Sequence, residues 1–373
     1  MRFASVPNRF SAIAASVAFG FLLFAIPSGP CFAQTLVPPV PAQPGSVEND
    51  CSAAEGRRIS IDVEVTDKSG RPMRGLEAGD FSVFDNNQAQ KLLDFRAIDA
   101  DHPPATPVHV LIIVDAVNAD ARLVQSAREG LSEFLKQNGG KLAYPTSIAL
   151  FTDSGFKLLQ HVPTQDDNAL LASLKSAQAE LREIGGSAGV YGAAERWQKS
   201  FDLISDLSND EATQPGRKLV LFLSPGWPML TQAGSDVDKK HQTWIFDDIV
   251  GISNQLRQAC VSLYSLDPTS FGSNDSFSYE SFLKGVTKIT QAQYPDLAVQ
   301  VLAAHSGGRV ILGGNDVKGE IGTALRDAAA YYNLSFEPAP ATLTTQYHAI
   351  HVKVDKPGLT VRTTAGYYVK AAQ

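Results

Sequence analysis

From Val108 onward, short apolar runs alternate with stretches in which apolar residues recur every three or four positions. Val108 to Val114 is continuous and ends at Asp115; Ser147 to Phe151, Lys218 to Leu223 and Val261 to Leu266 repeat the pattern. A run without polar alternation suits a strand buried on both faces, and such strands belong to parallel sheets. Between the first two, Leu123, Ala127, Leu131, Phe134 and Leu135 share one helical face. Leu170, Leu174, Ala177 and Leu181 mark another helix, and the same spacing predicts helices over Tyr191 to Leu207, Ile245 to Leu256, Leu297 to Ala304 and Val317 to Tyr331. Phe156 to Val162 reads as an antiparallel edge strand and Arg309 to Leu312 as a short strand. Strands that alternate with helices connect by right-handed crossovers and carry helices on both faces. The expected core, 107–331, is therefore a doubly wound, mostly parallel α/β sheet.

The two ends follow a different rule. Ile59, Ile61, Val63 and Val65 alternate with Ser60, Asp62 and Glu64, the signature of a half-buried strand. Phe81 to Phe84 and Lys91 to Ile98 add two short strands, so 58–100 is a β unit too small to bury a core alone. At the other end, 332–370, Tyr332 to Phe336 is a strand candidate. Ile350, Val352 and Val354 alternate, and Val361 to Val369 returns after the Asp355-Lys356-Pro357-Gly358 turn. Each end needs a hydrophobic partner, so the expectation is one small discontinuous β domain built from both.

Before the first strand lie a leader and a linker. Arg2 and Arg9 precede an apolar stretch, Ala12 to Ile26, that is short for a membrane span. Cys31-Phe32-Ala33 then reads as a cleavage site, so 1–33 is expected to be a signal peptide and the protein periplasmic or secreted, with no span left after cleavage. Residues 34–57 are rich in proline and without periodicity, as a linker is. Export permits a Cys51–Cys260 disulfide, but Cys260 opens an apolar run and reads as a buried thiol. The net charge of -7 and the absence of a Lys/Arg run argue against nucleic acid or anionic lipid as partner.

Several short stretches, in this order, carry a family resemblance. They are Val63-Glu64-Val65-Thr66-Asp67-Lys68-Ser69-Gly70, Gly75-Leu76, Asp80-Phe81, Val114-Asp115-Ala116-Val117-Asn118, and Gly216-Arg217-Lys218 through Ser224-Pro225-Gly226. Asp267-Pro268, Ser306-Gly307-Gly308-Arg309, Tyr331-Tyr332, Pro357-Gly358-Leu359-Thr360-Val361-Arg362 and Gly366-Tyr367 complete them. Together the chain resembles von Willebrand factor type A-related proteins of the acidobacterial type. The resemblance implies a von Willebrand factor A-like fold in an exported protein and implies no reaction; the expected role is a binding module rather than an enzyme.

It also implies a divalent-cation site, Asp-x-Ser-x-Ser after the first strand, with a later Thr and a second Asp. Mg²⁺ takes octahedral oxygen ligands, which such a loop supplies. Asp115 matches the first Asp, and Ser187 falls near the Thr position. Val117 and Ala119 replace the serines and Pro225 the second Asp, so the adhesion site is degenerate and no cofactor is expected. Two readings stay open: a rearranged Mg²⁺ site at Asp115 and Ser187, with Asn118 or Asp120 substituting, and an Asp115 carboxylate that accepts backbone N–H groups at a helix start.

Gly185-Gly186-Ser187-Ala188-Gly189 fits G-x-S-x-G, and Ser187, Asp267 and His305 follow hydrolase order. The segment before Ser187 is patterned as a helix, whereas a nucleophile elbow needs a strand there. His348 and His351 share a strand on opposite faces. Ligands of open α/β sheets sit beyond the carboxyl ends of the strands. Two long segments fall there, one with Trp227 and Met229, the other with Phe271, Phe277, Tyr279 and Phe282. With Asn118, these are the candidate contacts for a protein partner outside the cytoplasm; the alternative is that the aromatics pack their own loops down.

Overall fold

The computed structural model describes residues 58–137, 139–177, 190–228, 238–268, 279–312, 315–338 and 345–370. In chain order the elements are β1 (Ile59–Thr66), β2 (Phe81–Asp85), β3 (Gln88–Gln90), β4 (Leu92–Ile98), β5 (His109–Asp115), α1 (Ala121–Lys136), β6 (Lys141–Thr152), β7 (Gly155–Leu158), β8 (Thr164–Asp166), α2 (Asp167–Ser176) and α3 (Val190–Glu211). They continue with β9 (Lys218–Leu223), α4 (Lys239–Gln258), β10 (Val261–Asp267), α5 (Val299–His305), β11 (Val310–Leu312), α6 (Val317–Ala329), β12 (Tyr331–Phe336), β13 (Thr345–Val354), β14 (Thr360–Arg362) and β15 (Gly366–Lys370). Residues 1–57, the expected leader and linker with Cys51, lie outside the described residues. No helix among the described residues is long and apolar enough to cross a membrane.

The central sheet runs β11-β10-β9-β5-β6-β7, with β8 also on β6; β7 and β8 are antiparallel to β6 and the other pairs are parallel. This is the doubly wound, mostly parallel architecture expected from the alternation of strands and helices. Successive strand side chains point to opposite faces, and the two cores divide accordingly. Leu111, Ile113, Val220 and Phe222 pack under α3, α4 and α5. Ile112, Val114, Leu219 and Leu221 pack under α1, α2 and α6.

The chain ends pair with each other. β1 is antiparallel to β12 and β14, and β12 to β4, giving one four-stranded sheet, β14-β1-β12-β4. A second, β15-β13-β2-β3, faces it. Ile61, Val63, Val83, Leu334, Phe336, Val352 and Tyr367 fill the space between them.

Three expectations need correction. The returning strand Val361 to Val369 is two strands in different sheets, because Thr363 and Thr364 turn their hydroxyls to the carbonyls of Asp62 (2.7 Å) and His305 (2.5 Å) and carry the chain across. The edge strand Phe156 to Val162 ends at Leu158. Cys260, a free thiol, does not open β10. It sits at φ 56° in the turn after α4 and is buried there.

Charged side chains bury themselves where the doubly wound sheet meets the strands of the two ends. Arg217, just before β9, donates to Glu64 Oε1 and pairs with Asp62 through Nε at 3.2 Å. Its guanidinium lies 4.4 Å from the ring centre of Tyr331. Asp327 accepts from Arg309 (3.0 Å), Tyr264 (3.0 Å) and Arg362 (2.5 Å). Burial presses the Arg217 pKa down, but Glu64 and Asp62 outweigh it and hold the group well above its ordinary value. Burial also pushes the Glu64 carboxyl up, against the pull of Arg217 and Arg362. Lys218 is buried too, its ammonium donating to the carbonyls of Glu211 (2.8 Å), Gln214 and Ala259 (3.0 Å). Gly308 lets this junction close: a Cβ there would stand 1.9 Å from the Leu263 carbonyl oxygen.

Candidate functional site at the carboxyl edge of the sheet

β5 is the sheet's first strand in sequence. β6 and β7 lie on one side of it and β9, β10 and β11 on the other, so the strand order reverses between β5 and β9. Open α/β sheets bind ligands in the crevice outside that switch point. Asp115 ends β5, and Ser224 follows β9 directly across the gap.

The two side chains bridge the gap. Ser224 Oγ donates to Asp115 Oδ2 at 2.6 Å. The same oxygen accepts from Asn118 Nδ2 at 2.8 Å, while Oδ1 accepts the backbone N–H groups of Val117 (2.8 Å) and Asn118 (3.0 Å). Asn118 Nδ2 donates as well to Ser200 Oγ on α3 at 2.9 Å, tying the loop to a helix. Ser200 in turn donates to the Arg196 carbonyl at 2.8 Å. Asp115 is 1% exposed. Burial pushes its carboxyl above the usual range, and the hydrogen bonds from Ser224, Asn118 and Val117 pull it back.

This arrangement answers the two readings of Asp115 in part. The carboxylate does take backbone N–H groups, but from the β5–α1 turn. The helix start is capped by Asp120, which accepts from Leu123 N at 2.8 Å. A divalent ion wants several oxygens with free lone pairs converging on it. Here Asp115 has four donors already, Val117 and Ala119 offer no ligand atom, and Asp120 is spent on its helix. One oxygen is left over: Asn118 Oδ1, buried and without a partner among the described residues. These described residues do not fit an octahedral ion. Among the described residues no group of three or more His, Cys, Asp or Glu is placed to hold a metal. Ser187 lies outside the described residues.

The remaining candidates separate. Trp227 is not at the surface. It is 3% exposed and packs its ring edge against Phe222, centroids 5.9 Å apart, because the chain after Gly226 (φ 102°) folds the indole back onto the sheet. Tyr279 and Phe282 are half-buried in a single 3-10 turn, Tyr279–Phe282. Met229, Phe271 and Phe277 lie outside the described residues. Trp244, which the sequence reading missed, is 44% exposed in the second turn of α4, near the same edge. Its signal was weak: an aromatic between the polar Thr243 and the core residue Ile245.

The hydrolase order does not assemble. Asp267 ends β10 at the carboxyl edge. His305 ends α5 at the opposite edge, where Ser306 Oγ accepts from Leu263 N, early in β10, at 2.9 Å. His348 and His351 do fall on opposite faces: His348 is buried on Asp85 and His351 is exposed.

No protein-family model matches the chain, and no curated protein matches it. Solved structures similar to it include von Willebrand factor type A domains. A manganese-loaded TRAP protein of Plasmodium vivax is 12% identical over 72% of this chain and 96% of its own, with a TM-score of 0.36. Proximal thread matrix protein 1 of the mussel byssus, with a zinc-occupied MIDAS motif, is 10% identical over 65% of this chain and 50% of its own, at 0.35. A von Willebrand factor type A protein from Catenulispora acidiphila is 11% identical over 85% and 74%, at 0.33.

Proposed function

We propose that this protein is an exported protein-binding, adhesion-like module whose contact surface is the set of loops at the carboxyl edge, working without a metal ion. The observation that carries this reading is the Asp115–Ser224 hydrogen bond across the switch point. A domain that bound its ligand through an ion would keep the carboxylate open at that place. Here the carboxylate is spent on holding β5, β9 and α3 together, which makes the edge a rigid platform for the loops around it. Phe271, Phe277, Tyr279 and Phe282 supply the aromatic contact area, and Met229 is a further contact residue. Trp244 joins the set as an exposed anchor, and Trp227 leaves it. The leader 1–33 takes the protein out of the cytoplasm, and the partner is a protein of the envelope or the outside.

The test is retention on the immobilised protein, in excess chelator, of envelope and extracellular protein from the source organism. The expected result is a partner that stays bound in chelator and loses at least ~10-fold affinity, about 1.4 kcal/mol, with Trp244→Ala or with Phe271→Ala plus Phe277→Ala. Retention of nothing, or equal retention by all these variants, ends the reading.

A further inference from the structure

A cavity lies at the opposite edge of the central sheet, where α4 and α5 meet the strands of the chain ends. Its volume is about 70 Å³, room for a few water molecules and far less than a nucleotide or sugar chain needs. Arg257 and Ser253, one turn apart on α4, line one side. Ser262 of β10, with Asp62 of β1 and Asn333 of β12, lines the others.

The charges around this cavity are uneven. Arg217, Arg309 and Arg362 are matched by Asp62, Glu64 and Asp327 in the buried junction. Asp62, the one carboxylate that lines the cavity, is held by Arg217 and by Asn333 Nδ2 at 2.9 Å. Arg257 is an additional cation with no carboxylate partner and no side-chain hydrogen bond among the described residues, and its Nε is buried. Burial presses its pKa down, and the nearby Tyr367 and Cys260 side chains offset that only in part. The hydroxyls of Ser253 and Ser262 likewise make no hydrogen bond to the described residues. A guanidinium and two free hydroxyls around a small cavity form a donor set, and donor sets of this kind recognise oxygen anions.

We infer that this cavity binds one small oxyanion, a carboxylate or a tetrahedral phosphate-type group, on Arg257, Ser253 and Ser262. The anion joins α4 to β10, beside the strands of the chain ends, and supplies the negative charge that Arg257 lacks.

Calorimetric titration of the purified protein with inorganic phosphate, sulfate and acetate, each at ionic strength matched with chloride, tests this. Heats of binding are needed because phosphate and sulfate stabilise proteins non-specifically. The expected result is saturable one-to-one binding of at least one of them. Preference for phosphate and sulfate identifies a tetrahedral ligand, and preference for acetate a carboxylate. Arg257→Gln should weaken the binding at least ~10-fold, Arg257→Lys less, and Ser262→Ala roughly 3- to 10-fold. If Arg257→Gln does not fold, Ser262→Ala decides. No saturable binding of any of the three anions overturns the inference. So does a folded Arg257→Gln, or failing that a Ser262→Ala, that binds as tightly as the unaltered protein.

Discussion

Arg217→Met will cost about 3–5 kcal/mol of stability, the range for removing one partner of a buried ion pair. The arginine holds Glu64 and Asp62 together, and Glu64 is 2% exposed. Without it, Glu64 keeps only Arg362 at 3.6 Å, and Tyr331 loses the cation over its ring. Methionine fills much of the volume, so the loss is electrostatic rather than a cavity. The pH dependence identifies it. In the variant, burial acts on Glu64 with less to oppose it, so the carboxyl's folded pKa rises further above its unfolded value. The folded state then binds the proton more tightly, and the variant gains stability as the pH falls through that range. The defect should therefore be largest near pH 8 and smaller near pH 5. Urea unfolding at both values, with an unchanged slope, reads this directly. A loss under about 1 kcal/mol, or an equal loss at both pH values, would contradict the electrostatic account.

Asp85→Ala is expected to be as damaging, through the β domain of the chain ends. Asp85 is fully buried and accepts from Tyr367 OH at 2.8 Å, while His348 Nδ1 lies 2.8 and 2.9 Å from its two oxygens. Burial and the Asp85 carboxylate push the Tyr367 phenol up, so the hydroxyl stays protonated and donates. Alanine leaves a buried imidazole and a buried phenol between the two sheets with only each other, Tyr367 OH and His348 Nδ1 standing at 3.5 Å. His348 Nε2 already lacks a partner among the described residues, so the ring has no second hold. Unsatisfied groups of this kind cost about 1–3 kcal/mol each, and the total expected is about 3–5 kcal/mol. Asp85→Asn, which keeps one acceptor oxygen, should lose roughly half as much. Equal losses for the two substitutions, or a loss below ~1 kcal/mol for alanine, would show that the group is not a structural acceptor.

What could be read from the sequence follows from burial. β5, β6, β9 and β10 are legible because strands covered on both faces must be apolar throughout. β1 is legible because one of its faces alternates into a core. β3 (Gln88–Gln90) and β8 (Thr164–Asp166) are not, since three residues with no large apolar side chain carry no periodicity and only their neighbours define them. The crossing between β14 and β15 is hidden for a related reason. Thr363, Thr364 and Ala365 form no recognisable turn, and the two threonine hydroxyls find partners 301 and 59 residues away, on Asp62 and His305.

The site divides in the same way. Asp115 announces itself as the polar end of an apolar strand. Ser200 and Ser224, which complete its hydrogen bonding, are 82 residues from Asn118 and 109 from Asp115, and only the topology brings them in. Trp227 misleads because Pro-Gly-Trp-Pro reads as a loop, whereas the indole turns inward. The resemblance motifs prove to be architectural as much as functional. Glu64, Arg217, Arg309, Tyr331 and Arg362 all come from those motifs and all meet in the junction. Arg217-Lys218 looks like an exposed basic pair in the sequence. Both residues are buried, Arg217 against Glu64 and Asp62, and Lys218 on the carbonyls of Glu211, Gln214 and Ala259.

The most direct test of the central claim, a carboxyl edge closed by Asp115 and used without an ion, is calorimetric titration with Mg²⁺, Mn²⁺ and Ca²⁺, run on Gln34 to Gln373 and on its Asp115→Ala variant. The account predicts no specific heat of binding for either protein. One-to-one Mg²⁺ or Mn²⁺ binding that the substitution abolishes would contradict it, and would place a rearranged metal site at Asp115 and Ser187.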